Sequence, residues 1–212
     1  MEIIVGYDPG GNNDHGWAEL RTANGEVSEI STDTLDSAED VIRRLERLPN
    51  LTALGIDTLT CWATGPSAWR PADRWLREWL REHCEPVRNS VMSPNSLSGS
   101  MGLNGMAVLL SVRRVFPNSL ITETHPKVLY YALSKVKYDY KNQKAQMDDF
   151  LDSNLGLRCR CEDDHQFDAA MSAFAAFAGS SGRWTRDLHK LPCIEDERVI
   201  EPCGSARYFW PS

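Results

Sequence analysis

Three acidic residues end apolar segments of this sequence, and their positions have the clearest chemical consequence. Asp8, Asp57 and Glu123 each come last in a short run of β-branched and aliphatic residues, a pattern that predicts a buried strand. An unpaired carboxylate at the tip of a buried strand is costly, so each of these acids needs a partner. For Asp8, which precedes the turn residues Pro9–Gly11, two interpretations stay open. It could accept hydrogen bonds from backbone amides of the turn, or it could bind a metal ion.

A fourth acid stands inside an expected helix. Residues 162–177 predict a helix that opens with acids and carries Asp168 among small apolar residues. The carboxyl ends of parallel strands meet at one edge of an α/β sheet, so we expect Asp8, Asp57, Glu123 and Asp168 to converge there. Carboxylates a few ångströms apart cannot all stay ionised, and Mg²⁺ or Mn²⁺ would relieve the repulsion. Two such ions roughly 4 Å apart can activate a water towards a phosphodiester.

The first part of the chain predicts the sheet that positions these acids. The strand ending at Asp8 is followed by two alternating segments, Gly16–Thr22 and Glu26–Thr32, which the hairpin signal Asn24–Gly25 joins. A helix from Ser37 through Leu48 would then return the chain, so that the strand ending at Asp57 lies parallel to the first. The expected fold class is α/β, with a five-stranded mixed sheet of order 3-2-1-4-5 flanked by helices.

The rest of the chain predicts helices and irregular segments within a single domain, 1–212. An insert at about 58–103 contains the amphipathic helix Ala72–His83 and a glycine-rich loop, Pro94–Leu103. Further helices are expected at residues 105–115, 127–133 and 145–155, besides the helix that carries Asp168. A C-terminal tail from about residue 183 would contain a small strand pair within 198–210.

The amino-acid composition limits the classes to which this protein can belong. The 212 residues are 42% hydrophobic and carry a net charge of −7, which permits a sizeable core and argues against a strong non-specific nucleic-acid binder. It does not exclude a metal-dependent nuclease, because bound cations offset the charge of catalytic carboxylates. No apolar run approaches the roughly 20 residues of a membrane span, and the first residues have no signal-peptide pattern. We therefore expect a cytoplasmic protein with no membrane partner.

The six cysteines offer a different metal site. Cys159 and Cys161, with Cys193 and Cys203, form a candidate zinc set, but a C-x-C pair with two distant cysteines matches zinc-ligand spacing poorly. In the cytoplasm we expect these thiols to be mostly reduced.

Four motifs together resemble a known superfamily. They are G-Y-D-P-G-G around Asp8, G-I-D at Asp57, E-T-H-P from Glu123 and H-Q-F-D-A-A-M-S-A-F around Asp168, and their order is similar to that of the ribonuclease H-like superfamily. More closely, E-T-H-P and the D-A-A helix resemble the domain-of-unknown-function family described as predicted ribonuclease H-like nucleases. Asp57 matches the second strand acid of that family, although T-L-T follows it here rather than Ile-Pro. His165, one turn before Asp168, resembles the acid or histidine of Holliday-junction resolvases.

The resemblance extends from about residue 3 to 178 and implies a nuclease site with two Mg²⁺ or Mn²⁺ ions. Asp8 would bridge the two ions, while Asp57 and Glu123 would bind one each. Asp168 would complete the second ion's site, with His165 as a supporting ligand or proton handler.

Each implied role has a structural alternative. Glu123 could instead pair with a lysine or an arginine, and His125 could be a structural residue rather than a base. Asp164 could replace His165 as the supporting group, or Asp163 and Asp164 could simply be favourable first-turn acids.

The implied substrate is nucleic acid, DNA or RNA, whose backbone needs local positive charge. The candidate contacts are Lys127, which follows the E-T-H-P motif, together with Arg70 and Lys141.

Two other functions stay open. D-P-G-G-N-N from Asp8 resembles the first phosphate loop of actin-like ATPases and sugar kinases, although this chain lacks the second lobe that those proteins usually have. A non-catalytic binding or scaffold protein could also keep the same fold.

Overall fold

The computed structural model describes residues 1–11, 13–91 and 99–211. A five-stranded sheet of order β3-β2-β1-β4-β6 organises the chain, and two short two-stranded sheets, β5-β8 and β7-β9, accompany it. The strands are β1 (Glu2–Asp8), β2 (His15–Ala23), β3 (Glu26–Leu35), β4 (Ala53–Ile56), β5 (Trp62–Ala63), β6 (Leu120–Glu123), β7 (Arg186–Asp187), β8 (Val199–Ile200) and β9 (Phe209–Trp210). The expected strand order is confirmed, with β6 as the fifth strand of the main sheet.

The register of the central strands brings the expected acids to one edge. β1 runs antiparallel to β2, which pairs Asp8 with Gly16. It runs parallel to β4, which pairs Tyr7 with Ile56. β4 in turn runs parallel to β6, which pairs Ile56 with Glu123. The carboxyl ends of β1, β4 and β6 therefore lie side by side, where ligands bind in α/β sheets.

In the part of the chain that the structure describes, six α-helices flank the sheet. They are α1 (Ala38–Glu46), α2 (Pro71–His83), α3 (Gly99–Val115), α4 (Pro126–Ser134), α5 (Tyr140–Leu155) and α6 (Asp164–Ser180). Alternate β1 residues face opposite layers, as the period of a strand requires. Ile3, Val5 and Tyr7 belong to a core with residues of α1 and α3, whereas Ile4 belongs to a core with residues of α4, α5 and α6.

Close packing of α6 onto the sheet fixes the position of Asp168. Residues 166–178 of this helix are all buried. Glycines on the three central strands receive it: a β-carbon at Gly6 would collide with the backbone of Ala169, one at Gly16 with His165, and one at Gly55 with Ser172. The alanine-rich helix can approach the sheet this closely only because these positions have no side chains.

Gly6→Ala is therefore expected to destabilise the protein by about 1–3 kcal/mol or more, because α6 or β1 must move to accommodate the methyl group. Urea unfolding measures the loss. Gly99→Ala is the control, since no atom of the described residues lies within 4 Å of an added β-carbon there. Equal urea midpoints for both variants would contradict the proposed packing.

Some local expectations differ from the structure. α3 begins at Gly99, so part of the expected loop Pro94–Leu103 is helical, and the remainder of that loop lies outside the described residues, as does Asn12 of D-P-G-G-N-N. The two short strands within 198–210 do not pair with each other as expected: β8 pairs with β5, and β9 pairs with β7. Among the described residues, no helix is long and apolar enough to cross a membrane.

Candidate metal centre

Three of the four expected acids converge. One carboxylate oxygen from each of Asp8, Asp57 and Asp168 lies within 4.8 Å of the others. Asp8 ends β1 and is 4% exposed, and Asp168 on α6 is also 4% exposed. Asp57 follows β4, where its backbone N–H donates to the carbonyl of Tyr7 at 3.0 Å. We call these three residues the aspartate cluster.

The three carboxylates of the aspartate cluster repel one another, so the fully ionised cluster is unfavourable without a bound cation. Burial, and then the charges of its neighbours, raise the pKa of Asp57 and of Asp168 well above the usual aspartate value. Oδ1 of Asp168 is buried and accepts no hydrogen bond from the described residues. An unpartnered buried oxygen beside two further carboxylates is a donor set that suits Mg²⁺ or Mn²⁺, so the residues present fit the expected ions.

His165 contacts the carboxylate of Asp8. Its Nδ1 lies 2.6 Å from Oδ2 of Asp8, and the two side chains meet because α6 packs on Gly16, the partner of Asp8 in β2. Burial raises the pKa of Asp8, although the hydrogen bond and charge of His165 oppose that effect. Asp163, in contrast, caps α6 by accepting from the backbone N–H of Gln166 at 2.8 Å, as the first-turn alternative predicted. Asp164 is exposed.

The two histidines near the site should titrate far apart. The hydrogen bond to Asp8 raises the pKa of His165 to about 9, whereas burial lowers that of His125 to about 4. Because the folded-state pKa of His165 is raised, its pairing stabilises the metal-free protein fully below the ordinary histidine pKa, near 6.5. This contribution disappears as the pH rises through about 9. An NMR titration of the histidine ring protons measures both values, and a midpoint for His165 near that of a free histidine would contradict the Asp8 contact.

A cation and a phenol border the aspartate cluster. The charge of Lys127, in the first turn of α4, lowers the pKa of each of the three aspartates. Lys127 is exposed, and its Nζ lies 5.5 Å from the ring centre of Tyr138. The hydroxyl of Tyr138 is buried, and burial together with the neighbouring carboxylate of Asp168 raises the pKa of Tyr138 well above the usual tyrosine value. Of the expected substrate contacts, Lys127 is the one placed beside the cluster.

Glu123 is not part of the aspartate cluster. Arg70 donates to both of its oxygens, at 2.6 and 2.8 Å, and Thr60 donates to Oε2 through its backbone N–H and its hydroxyl. Burial alone would raise the pKa of Glu123, but Arg70 and His189 hold it below the usual glutamate value. The structure thus agrees with the alternative in which Glu123 pairs with an arginine. That arginine, Arg70, belongs to the insert.

Arg70 also explains why a second group of potential ligands is a weak metal site. Cys61, Glu123 and His189 approach one another closely, but three donors already surround Oε2 of Glu123. Nη1 of Arg70 also lies 3.5 Å from the sulfur of Cys61. The guanidinium therefore holds the place that a metal ion would need.

The remaining expected residues lie elsewhere. Arg70 is 1% exposed, so it cannot reach a nucleic-acid backbone in this structure. Lys141 is exposed in the first turn of α5. Cys159 and Cys161 pack in the core on the α6 side, and Cys203 packs in the core on the α1 side. The structure therefore does not assemble the candidate zinc set, in line with its poor ligand spacing.

Solved structures with the same architecture exist. The chain is similar to a Thermus thermophilus RuvC in complex with a Holliday-junction substrate, with 15% identity and a TM-score of 0.52 over 86% of this chain and 97% of that one. The fold is ribonuclease H-like. A second T. thermophilus RuvC structure matches with 15% identity and a TM-score of 0.41 over 85% of this chain and 96% of that chain. No protein-family model matches the sequence, and neither does any curated protein.

Proposed function

We propose that this protein is a metal-dependent phosphodiester hydrolase that cleaves nucleic acid. The observation that carries the proposal is the aspartate cluster at the carboxyl edge of a ribonuclease H-like sheet, with a buried oxygen of Asp168 left without a partner among the described residues. The similarity to RuvC, whose structure includes a Holliday junction, supports nucleic acid as the substrate class.

Asp8, Asp57 and Asp168 would hold the ions. Two divalent cations bound there would activate a water and stabilise the leaving oxygen of a phosphodiester. The protein supplies the rigid frame for this chemistry, because β1, β4 and the buried α6 fix one carboxylate each. In this proposal Glu123 is a structural residue, since its oxygens are already occupied.

His165 and Lys127 would act on the carboxylates and on the substrate. The 2.6 Å contact with His165 fixes the orientation of the Asp8 carboxylate. Lys127 places an exposed positive charge next to the cluster, where a phosphate of the substrate would approach. Lys141, on the exposed face of α5, would contact the backbone farther along the strand.

The test is cleavage of end-labelled single strands, duplexes and four-way junctions of DNA and RNA, with Mg²⁺, Mn²⁺ or EDTA. We expect metal-dependent cleavage that EDTA stops. Absence of cleavage with every substrate, together with no metal binding, would leave the non-catalytic scaffold as the better interpretation. Metal-dependent release of phosphate from ATP would instead favour the ATPase alternative.

A further inference from the structure

A basic pocket lies on helix α2, which the proposed mechanism does not use. The cavity has a volume of about 340 Å³, and arginines and one tryptophan form much of its lining. Arg74, Arg77 and Arg81 are spaced three and four residues apart, so they project from one face of the helix. Trp69, just before the helix, and Glu197 of the C-terminal tail also line the pocket.

The charges of this pocket are only partly compensated. Arg74 pairs with the buried Glu197, with Nε 2.8 Å from Oε1. Arg77 donates to the carbonyl of Val91 at 2.7 Å, a contact that leaves its charge in place. Arg81 is exposed and forms no hydrogen bond or ion pair with any described residue. Leaving Arg88 aside, three arginines and two glutamates line the cavity, which gives a net charge of +1 in a protein of net charge −7.

A second pocket shows that this arrangement is unusual for the chain. Three arginines also line a cavity next to α1. Arg43 there pairs with Glu39 and Asp40, and Arg44 pairs with Asp33. Neighbouring acids thus neutralise two of these three charges, whereas neither Arg77 nor Arg81 of the α2 pocket pairs with an acid among the described residues, so the α2 pocket is the better anion site of the two.

An aromatic ring gives the α2 pocket a second property. The guanidinium carbon of Arg77 lies 5.0 Å from the ring centre of Trp69, a cation–π contact that orients both groups. Trp69 remains partly exposed. An aromatic ring beside arginines is the combination with which proteins bind single-stranded nucleic acid, because an unpaired base can stack while phosphates meet the cations.

The row of arginines leads away from the edge of the sheet that holds the aspartate cluster. Arg70, the residue before α2, is fixed to Glu123 at the end of β6. At 1.5 Å per residue, Arg81 lies about 16 Å farther along the helix axis. Helix α2 therefore begins beside the end of β6, at the edge of the sheet that carries the cluster.

We propose that the α2 pocket binds a single-stranded segment of nucleic acid, with phosphates on Arg77 and Arg81 and a base against Trp69. The proposal rests on the proposed function for its substrate class. In this proposal, residues of the insert bind the part of the nucleic acid that lies outside the cleavage site.

Fluorescence anisotropy with a labelled 12-nucleotide DNA strand in EDTA tests the proposal, because binding is then measured without cleavage. Arg81→Glu should weaken binding about tenfold and reduce the salt dependence by about one counterion. Arg158→Glu is the matched control: Arg158 is also exposed but does not line the pocket, and its change alters the net charge equally. Trp69→Ala should weaken binding about tenfold, and Trp69→Phe should restore most of it.

Equal weakening by Arg81→Glu and Arg158→Glu, with Arg81→Gln harmless, would overturn the proposal, and so would a wild type that binds no strand. A duplex bound as tightly as the single strand would overturn the role of Trp69. Circular dichroism checks that each variant is folded. Hydrolysis of bis(p-nitrophenyl) phosphate with Mn²⁺ tests the aspartate cluster separately, because this small substrate does not need the pocket.

Discussion

Asp168→Asn is expected to reduce metal-dependent hydrolysis by at least about a thousandfold while leaving the metal-free fold intact or more stable. The loss follows because metal ions contribute several kcal/mol of transition-state stabilisation, and each 1.4 kcal/mol is about tenfold in rate. Asp168 offers the cleanest change in the cluster, since its Oδ1 has no partner among the described residues.

The gain in stability has a definite pH dependence. Burial and two neighbouring aspartates raise the pKa of Asp168 in the folded state, so its ionisation destabilises the metal-free fold as the pH rises through that pKa. Asparagine removes this penalty, so the free energy of unfolding should rise at high pH, by an amount that shrinks as the pH falls. Urea unfolding in EDTA at several pH values measures it.

Asp149→Asn is the matched control for this variant, because Asp149 is an acid with a side chain 72% exposed on α5. It should change neither hydrolysis nor unfolding appreciably. If Asp168→Asn retained activity, or unfolded more readily than the wild type at every pH in EDTA, the assignment of Asp168 as a metal ligand would fail.

Arg70→Met is expected to cost about 3–5 kcal/mol of stability, the largest loss that we predict for a single substitution. Arg70 donates to Asp73 at 2.7 Å and to Glu123 at 2.6 Å, and all three side chains are buried. Removing the guanidinium leaves two buried carboxylates without their cation. Arg70→Lys should recover little, because an ammonium cannot reproduce the planar contacts with both acids.

Urea unfolding measures this loss, with Arg43→Met as the control. Arg43 pairs with Glu39 on the surface, where the two side chains are 58% and 71% exposed, so its loss should cost less than about 1 kcal/mol. The pKa of Glu123 is lowered in the folded state. The stabilisation that the ionised Glu123 contributes is therefore present above the ordinary glutamate pKa and is lost as the pH falls through its lowered folded-state pKa. Equal costs for the two variants would contradict the network.

The main sheet could be predicted from the sequence because the patterns that indicate its strands are local. The hairpin at Asn24–Gly25 and the alternation on either side predict β2 and β3, and the structure confirms both. The convergence of Asp8, Asp57 and Asp168 could also be predicted, because each acid stands in a local pattern. Asp8 and Asp57 follow apolar strand segments, and Asp168 lies among the small residues of a predicted helix.

The partner of Glu123 could not be found in this way. Arg70 lies 53 positions earlier, in the expected insert and just before its helix, so no local pattern joins the two residues. His189 and Tyr138 were missed for the same reason, since each reaches the strand ends from a distant segment. His165 was found through the resemblance to Holliday-junction resolvases, in which an acid or a histidine lies one helical turn before the last acid.

Calorimetric titration with Mn²⁺ tests the central claim most directly, on the wild type and on the double variant Asp8→Asn/Asp168→Asn. We expect the wild type to bind two ions and the double variant to bind none. Undiminished binding by the double variant would contradict the assignment of the aspartate cluster. No binding by the wild type, even with an oligonucleotide present, would contradict the metal-dependent mechanism itself.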